Sequence, residues 1–126
     1  MWQDDTVNVK AFDYYQSLNR VREHFEKSYS QRVPLIDAAK IAGMEAKHFG
    51  KFFHQKVGIG FKEWTNRIRV AIAIQMIAKE HQSLTDVAFA VGFQDFRTFE
   101  RAFKKRTGLT PREFRKTIME RLALIV

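Results

Sequence analysis

The 126-residue chain has no cysteine, two prolines and six glycines. Without cysteine there is no disulfide, no thiolate zinc site and no cysteine nucleophile, and the composition fits a reducing cytoplasm. With so little proline and glycine, few positions are built to break a helix. Long apolar stretches are missing too. The longest runs are five residues, Val70–Ile74 and Leu122–Val126 among them, against roughly 20 for a membrane span. No membrane is therefore expected as a partner. The opening MWQDDT lacks the basic-then-apolar order of a secretory signal.

The four histidines, His24, His48, His54 and His81, contain no i, i+4 pair and no HExxH. Gly58-Ile59-Gly60 is too short for a nucleotide loop. No metal, cofactor or enzymatic activity is expected.

Basic residues are abundant. The net charge is +8. Residues 1–45 carry six Lys/Arg against seven Asp/Glu, whereas residues 46–126 carry sixteen against seven. Such an excess either solvates a surface or attracts a polyanion. The placement of the charges decides between the two.

The periodicity predicts an all-α fold of seven helices. Residues 11–28 set Tyr14, Leu18, Val21 and Phe25 on one face of the first. Pro34 fits the first turn of a second helix, stopped by Gly43. A third begins near Ala46, buries Phe49, Phe52 and Phe53, and ends at Gly58. A fourth spans 61–79, with Trp64, Ile68, Ile72 and Met76 every fourth residue; at 1.5 Å per residue it is roughly 28 Å long. Ser83 and Asp86 open a fifth helix that ends at Gly92. Asp95 caps a sixth, running to about Thr107 before Gly108. Thr110-Pro111-Arg112-Glu113 is a capping box for the seventh.

The chain repeats itself. Ala39 and Ala88 are 49 apart, as are Gly43 and Gly92. Beyond the turn the offset is 50, matching Phe49 with Phe99, Phe53 with Phe103 and Gly58 with Gly108. One residue inserted in the second turn accounts for the change. A short helix, a glycine turn and a longer crossing helix make the helix-turn-helix plan. Residues 33–58 and 83–108 are thus two such units, joined by the 61–79 helix.

Between Val87 and Arg115 lie six phenylalanines and seven Arg/Lys. A helix separates them by angle. Phe99 and Phe103 are expected inside, with Phe89, Phe93 and Phe114 packed around them. Arg97 and Arg101 fall on another strip, and Lys47 and Lys51 take the matching places 50 residues earlier. The second helix of such a motif enters the DNA major groove. Arg97 and Arg101 have the reach and fork to bond guanine O6 and N7. Phe96 has two readings: contact with a thymine methyl if it faces outward, core packing if inward. Lys104, Lys105, Arg106, Arg112, Arg115 and Lys116 are expected at phosphates, as are the free N–H groups at the helix starts near Phe61 and Thr110. The joining helix is near the roughly 34 Å of one DNA turn, so one chain could fill successive grooves of an asymmetric double-stranded site. A basic module for RNA, a membrane surface or an acidic protein would instead show no preference for one DNA sequence.

These residues resemble the DNA-binding domain of the AraC/XylS transcription regulators. The second half reads Ala88, Gly92-Phe93, Phe99, Phe103-Lys104-Lys105, Gly108, Thr110-Pro111 and Phe114-Arg115. The first half matches more loosely, through Ala39, Gly43, Phe49, Phe53, Gly58, Trp64 and Asn66-Arg67-Ile68-Arg69. The likeness covers residues 12–116, leaving 1–11 and 117–126 as tails. It implies seven helices in two helix-turn-helix subdomains with a linker helix. It also implies sequence-specific promoter binding, commonly as an activator, which brings RNA polymerase in as a partner. The family's base-reading positions fall on Lys47, Gly50 and Lys51, then on Phe96, Arg97 and Arg101. Glu45 departs from the usual serine cap, and Gly50 offers no side chain. Most members carry a sensor domain. None is visible in this sequence, which therefore reads as a small stand-alone regulator or a C-terminal piece.

Overall fold

In the computed structural model, residues 7–79 and 82–125 are described. The MWQDDT start, His81 and Val126 lie outside them. Among the described residues there are eight helices and no strand. They are α1 Lys10–Tyr14, α2 Gln16–Ser28, α3 Leu35–Ala42, α4 Ala46–Val57, α5 Phe61–Lys79, α6 Leu84–Ala90, α7 Phe96–Thr107 and α8 Pro111–Ile125. The chain divides into two compact units, residues 1–65 and 66–126.

The eighth helix comes from a break at Tyr15, where one helix was expected over 11–28. Tyr15 is extended, with φ −98° and ψ 114°. On an unbroken helix of about 100° per residue, Phe12 would stand opposite Val21. The break lets both be buried, Phe12 at 2% exposure and Val21 at 1%. It also turns Tyr15 onto Phe52, ring centres 5.2 Å apart. Tyr14, expected inside, is 80% exposed. Core packing of Phe12 outweighs the helical continuity that periodicity favours.

Unit 1 is built around aromatic rings. Phe53 meets Phe12, Phe61 and Trp64 at 5.9, 5.5 and 5.5 Å. Trp64 stacks on Phe12 at 5.1 Å and leans on Phe25 at 5.3 Å. Each such pair contributes about 0.5–1.5 kcal/mol beyond its buried area. Phe52, expected fully inside with Phe49 and Phe53, is only partly buried. Pro34 is the N-cap of α3, one place before the first turn where it was expected. Residues 8–11, assigned to a tail, are tied in: the Asn8 N–H donates to the Val57 carbonyl at 2.8 Å, and Ala11 is buried.

Unit 2 buries Val70, Ala73 and Ile77 of α5 with Val87, Ala88, Val91, Phe93, Phe99 and Phe103. The inward stripe of this half of α5 therefore steps by three and four. Ile68, Ile72 and Met76, expected to form it, are partly buried, because a strict four-residue step drifts by about 40° each time. Phe93 and Phe114 pack as expected, at 5.3 Å from Phe99 and Phe103 respectively. Phe89 does not. It is 50% exposed, since Val87, Ala88 and Val91 take the inner face of α6. Residues 117–125, assigned to a tail, continue α8.

The repeat is visible within each unit. The Met44 N–H donates to the Ala39 carbonyl at 2.9 Å, and 49 residues on the Phe93 N–H donates to Ala88 at 3.0 Å. Past the inserted residue, Gly58 bonds His54 at 2.9 Å and Gly108 bonds Lys104 at 2.8 Å. Gly58 and Gly108 close their helices with φ of 101° and 83°, a region that costs side chains about 1 kcal/mol or more. Phe49, Phe53, Phe99 and Phe103 are all fully buried.

Candidate nucleic-acid interface

Helix α7 sorts its residues into two sides. Phe99 and Phe103 anchor it in the core of unit 2. Arg97, Arg101 and Lys104 are exposed and lie within about 60° of one another on the wheel, roughly opposite Phe99. Lys105 is exposed on the flank of this ridge. Phe96 is half-buried and meets Phe99 at 5.7 Å, which matches the inward reading better than the outward one. Glu100 is half-buried.

The start of α7 is fixed locally. Asp95 accepts from the Thr98 backbone N–H at 2.7 Å and from its hydroxyl at 3.0 Å. Those two bonds, the backbone one foremost, hold the Asp95 carboxyl below the usual carboxylate range, and the positive charge of Arg101 adds to them. The negative charge also suits the positive end of the helix dipole.

Helix α4 in unit 1 has the same two sides. Phe49 and Phe53 are buried, and Lys47 and Lys51 are exposed. His54, also exposed, completes the ridge at the place that Lys104 holds in α7. The 50-residue offset between the two helices points to this place. Gly50 is half-buried, and a Cβ built there would meet Leu35 Cδ2 at 3.6 Å, ordinary contact. Glu45 makes no side-chain cap, as its poor capping chemistry predicts.

The residues expected at phosphates divide. Arg112 and Lys116 are exposed on α8. Arg106 is half-buried. Arg115 is half-buried, and its Nη2 is enclosed without a hydrogen-bond partner, so that nitrogen points away from any outer phosphate. The helix start at Thr110 is less open than expected. Its N–H donates to Glu113 Oε1 at 2.8 Å, and the Glu113 N–H donates to Thr110 Oγ1 at 3.1 Å. These bonds, the one from the Thr110 N–H foremost, hold the Glu113 carboxyl low. They occupy two donors and place a negative charge where a phosphate was expected. On α5, burial lowers the pKa of Arg69, and Lys62 is exposed beside the helix start at Phe61.

A family model described as a helix-turn-helix domain matches residues 38–117. An uncharacterized HTH-type transcriptional regulator of Staphylococcus aureus is 28% identical over 98 residues, 78% of this chain and 13% of that protein. The chain thus spans about an eighth of the length of such relatives. A transcriptional regulator with an AraC-type DNA-binding domain from Chromobacterium violaceum has the same fold. Its TM-score is 0.75 at 20% identity, over 84% of this chain and 95% of that one. The DNA-binding domain of AdpA, a global transcriptional factor solved with a target DNA, superposes at TM-score 0.78 and 21% identity, over 83% and 95%. With a family model that matches residues 38–117, well over half of its length, the chain belongs to the AraC-type helix-turn-helix family.

Proposed function

We propose that the chain is a sequence-specific, double-stranded DNA-binding regulator of transcription, with α4 and α7 as its reading helices. One observation carries this reading. Both helices bury a phenylalanine pair four residues apart and turn a cationic ridge to solvent on the other side. A merely solvated surface has no reason to repeat that arrangement at a fixed offset. Arg101 and Arg97 read guanines through paired contacts to O6 and N7. Lys47 and Lys51 do the corresponding work in α4, where Gly50 leaves room for close approach of the backbone. Lys104, Lys105, Arg106 and Arg112 meet phosphates and supply affinity without sequence preference.

The two helices enter successive major-groove segments of an asymmetric site. The AraC-type family, and the likeness in fold to a DNA-binding domain solved with its target DNA, support this reading. Activation through RNA polymerase, and a sensor domain elsewhere in the full-length protein, belong to the same proposal.

Selection from random duplex DNA followed by sequencing tests it. The expected product is a non-palindromic site of about two helical turns, preferred over random DNA by about 10³-fold or more. On that site, Arg101→Ala should cost about 1–3 kcal/mol and relax preference at one base pair. Equal weakening on selected and random DNA would make Arg101 a phosphate contact and remove the reading role. A reporter carrying the selected site upstream of a promoter then separates activation from repression.

A further inference from the structure

Unit 2 has a groove that the cationic ridge of α7 does not use. The end of α5 forms one wall with Ile77, Ala78 and Lys79. Helix α8 forms the other with Arg115, Ile118, Met119 and Leu122. The space measures about 250 Å³. Five of these seven residues are apolar, and the other two are cations. Arg115 is half-buried between these walls. A guanidinium lining a groove pairs naturally with a carboxylate brought from outside, which accepts with matching geometry.

The apolar surface does not stop at the groove. Met119 and Leu122 are about half exposed, and Leu124 and Ile125 are 86% and 81% exposed. Arg115, Ile118, Leu122 and Ile125 recur at alternating steps of three and four, the spacing along which a second helix packs. From Arg115 to Ile125 this strip runs about 15 Å. A small organic acid would fill the groove and leave most of the strip bare. A second copy of the chain is a poor fit, because α8 carries four Arg/Lys against two Glu and would meet its own charge. Residues 66–126 carry twelve Lys/Arg and six Asp/Glu, a field that draws in acidic partners.

We propose that this face docks an amphipathic acidic helix of a partner protein. Leucine-type anchors of the partner lie along Ile118, Leu122 and Ile125. An aspartate or glutamate beside the first anchor reaches Arg115, with Lys79 as a second positive charge. This inference is independent of which DNA sequence the chain reads.

The test uses the full chain labelled with ¹⁵N and three probes. The first is a synthetic amphipathic peptide of about four turns, with leucines at i, i+3 and i+7 and glutamates beside the first. The second is the same peptide with glutamine for glutamate, and the third is octanoate. The glutamate peptide should shift the amides of Ala78, Ile118, Met119 and Leu122, and bind about tenfold tighter than the glutamine peptide. Arg115→Gln should abolish that difference, and Arg115→Lys should retain part of it. Ile125→Gln, on the strip and 81% exposed, should weaken the peptide, leave octanoate unaffected and leave the melting temperature unchanged. Equal binding of the two peptides, or shifts confined to the α7 ridge, would overturn the proposal. So would occupation of the groove by octanoate alone. Self-association of the chain that produces the same amide shifts without peptide would assign the face to a second copy instead.

Discussion

Replacing Gly50 with alanine should stabilise the protein, and the structure lets the size be worked out. Gly50 lies inside α4 and is not among the residues with positive φ. Alanine therefore adopts its backbone without strain, and it is favoured over glycine inside a helix by about 0.5–1 kcal/mol. The new Cβ would sit 3.6 Å from Leu35 Cδ2, adding contacts of about 0.1–0.2 kcal/mol each. Leu35 is 39% exposed, so little extra burial follows. The net is about 1 kcal/mol, which raises the melting temperature by roughly 4 °C in a domain of this size. Thermal unfolding followed by circular dichroism measures it. Gly43→Ala is the counterpart. A Cβ there meets nothing within 4 Å, but φ is +75°, so the cost is purely conformational and about 1–2 kcal/mol in the opposite sense. A lower melting temperature for Gly50→Ala, or an unchanged one for Gly43→Ala, would refute the reasoning.

Phe103→Ala should remove about 3–5 kcal/mol, because the ring is fully buried between Phe99 and Phe114; Phe89→Ala, at a half-exposed site, should stay within about 0.5 kcal/mol in the same denaturant titration. Asp95 and Glu113 have carboxyls held low in the folded state by backbone N–H donors. Their contribution is complete above the unfolded carboxylate range of about pH 4 and is lost as pH falls through their folded values. The pair Asp95→Asn, Glu113→Gln should therefore show a flatter melting temperature below about pH 4; an equally steep acid limb would discount both caps. Lys105→Ala should weaken binding to selected and random DNA alike and reduce the slope of log affinity against log salt by about one. An unchanged slope would take Lys105 out of the interface.

Much of this arrangement is legible in the residue pattern. Helix boundaries at α4 and α7 follow from glycine stops and from Asp95, signals that act within one turn of chain. The repeat is legible because its anchors are the residues least free to vary, alanine at a close approach and phenylalanine in a core. The break at Tyr15 is not legible from periodicity, since Tyr14, Leu18, Val21 and Phe25 form a sound helical stripe. Only the mismatch of Phe12 with that stripe hints that two cores' worth of phase must be reconciled. Phe96 is ambiguous, and Phe89 is expected inside yet half exposed, for a similar reason: hydrophobicity says that a ring prefers shelter, and neighbours decide whether shelter exists. The exposed ridge residues Lys47, Lys51, Arg97 and Arg101 follow from the angle they make with their buried phenylalanines. The enclosure of Arg115 depends on where α5 ends against α8, which no local pattern encodes.

The two turn-and-helix copies differ in how firmly their second helices begin. Thr98 is clamped twice by Asp95, while Glu45 leaves the corresponding amides of α4 without a side-chain acceptor. Equal architecture thus comes with unequal stiffness. Amide protons at Lys47 and His48 should exchange with deuterium faster than those at Arg97 and Thr98. One copy would then hold its register on a target while the other adjusts to it, a division of labour that duplication followed by the loss of a single capping residue is enough to create.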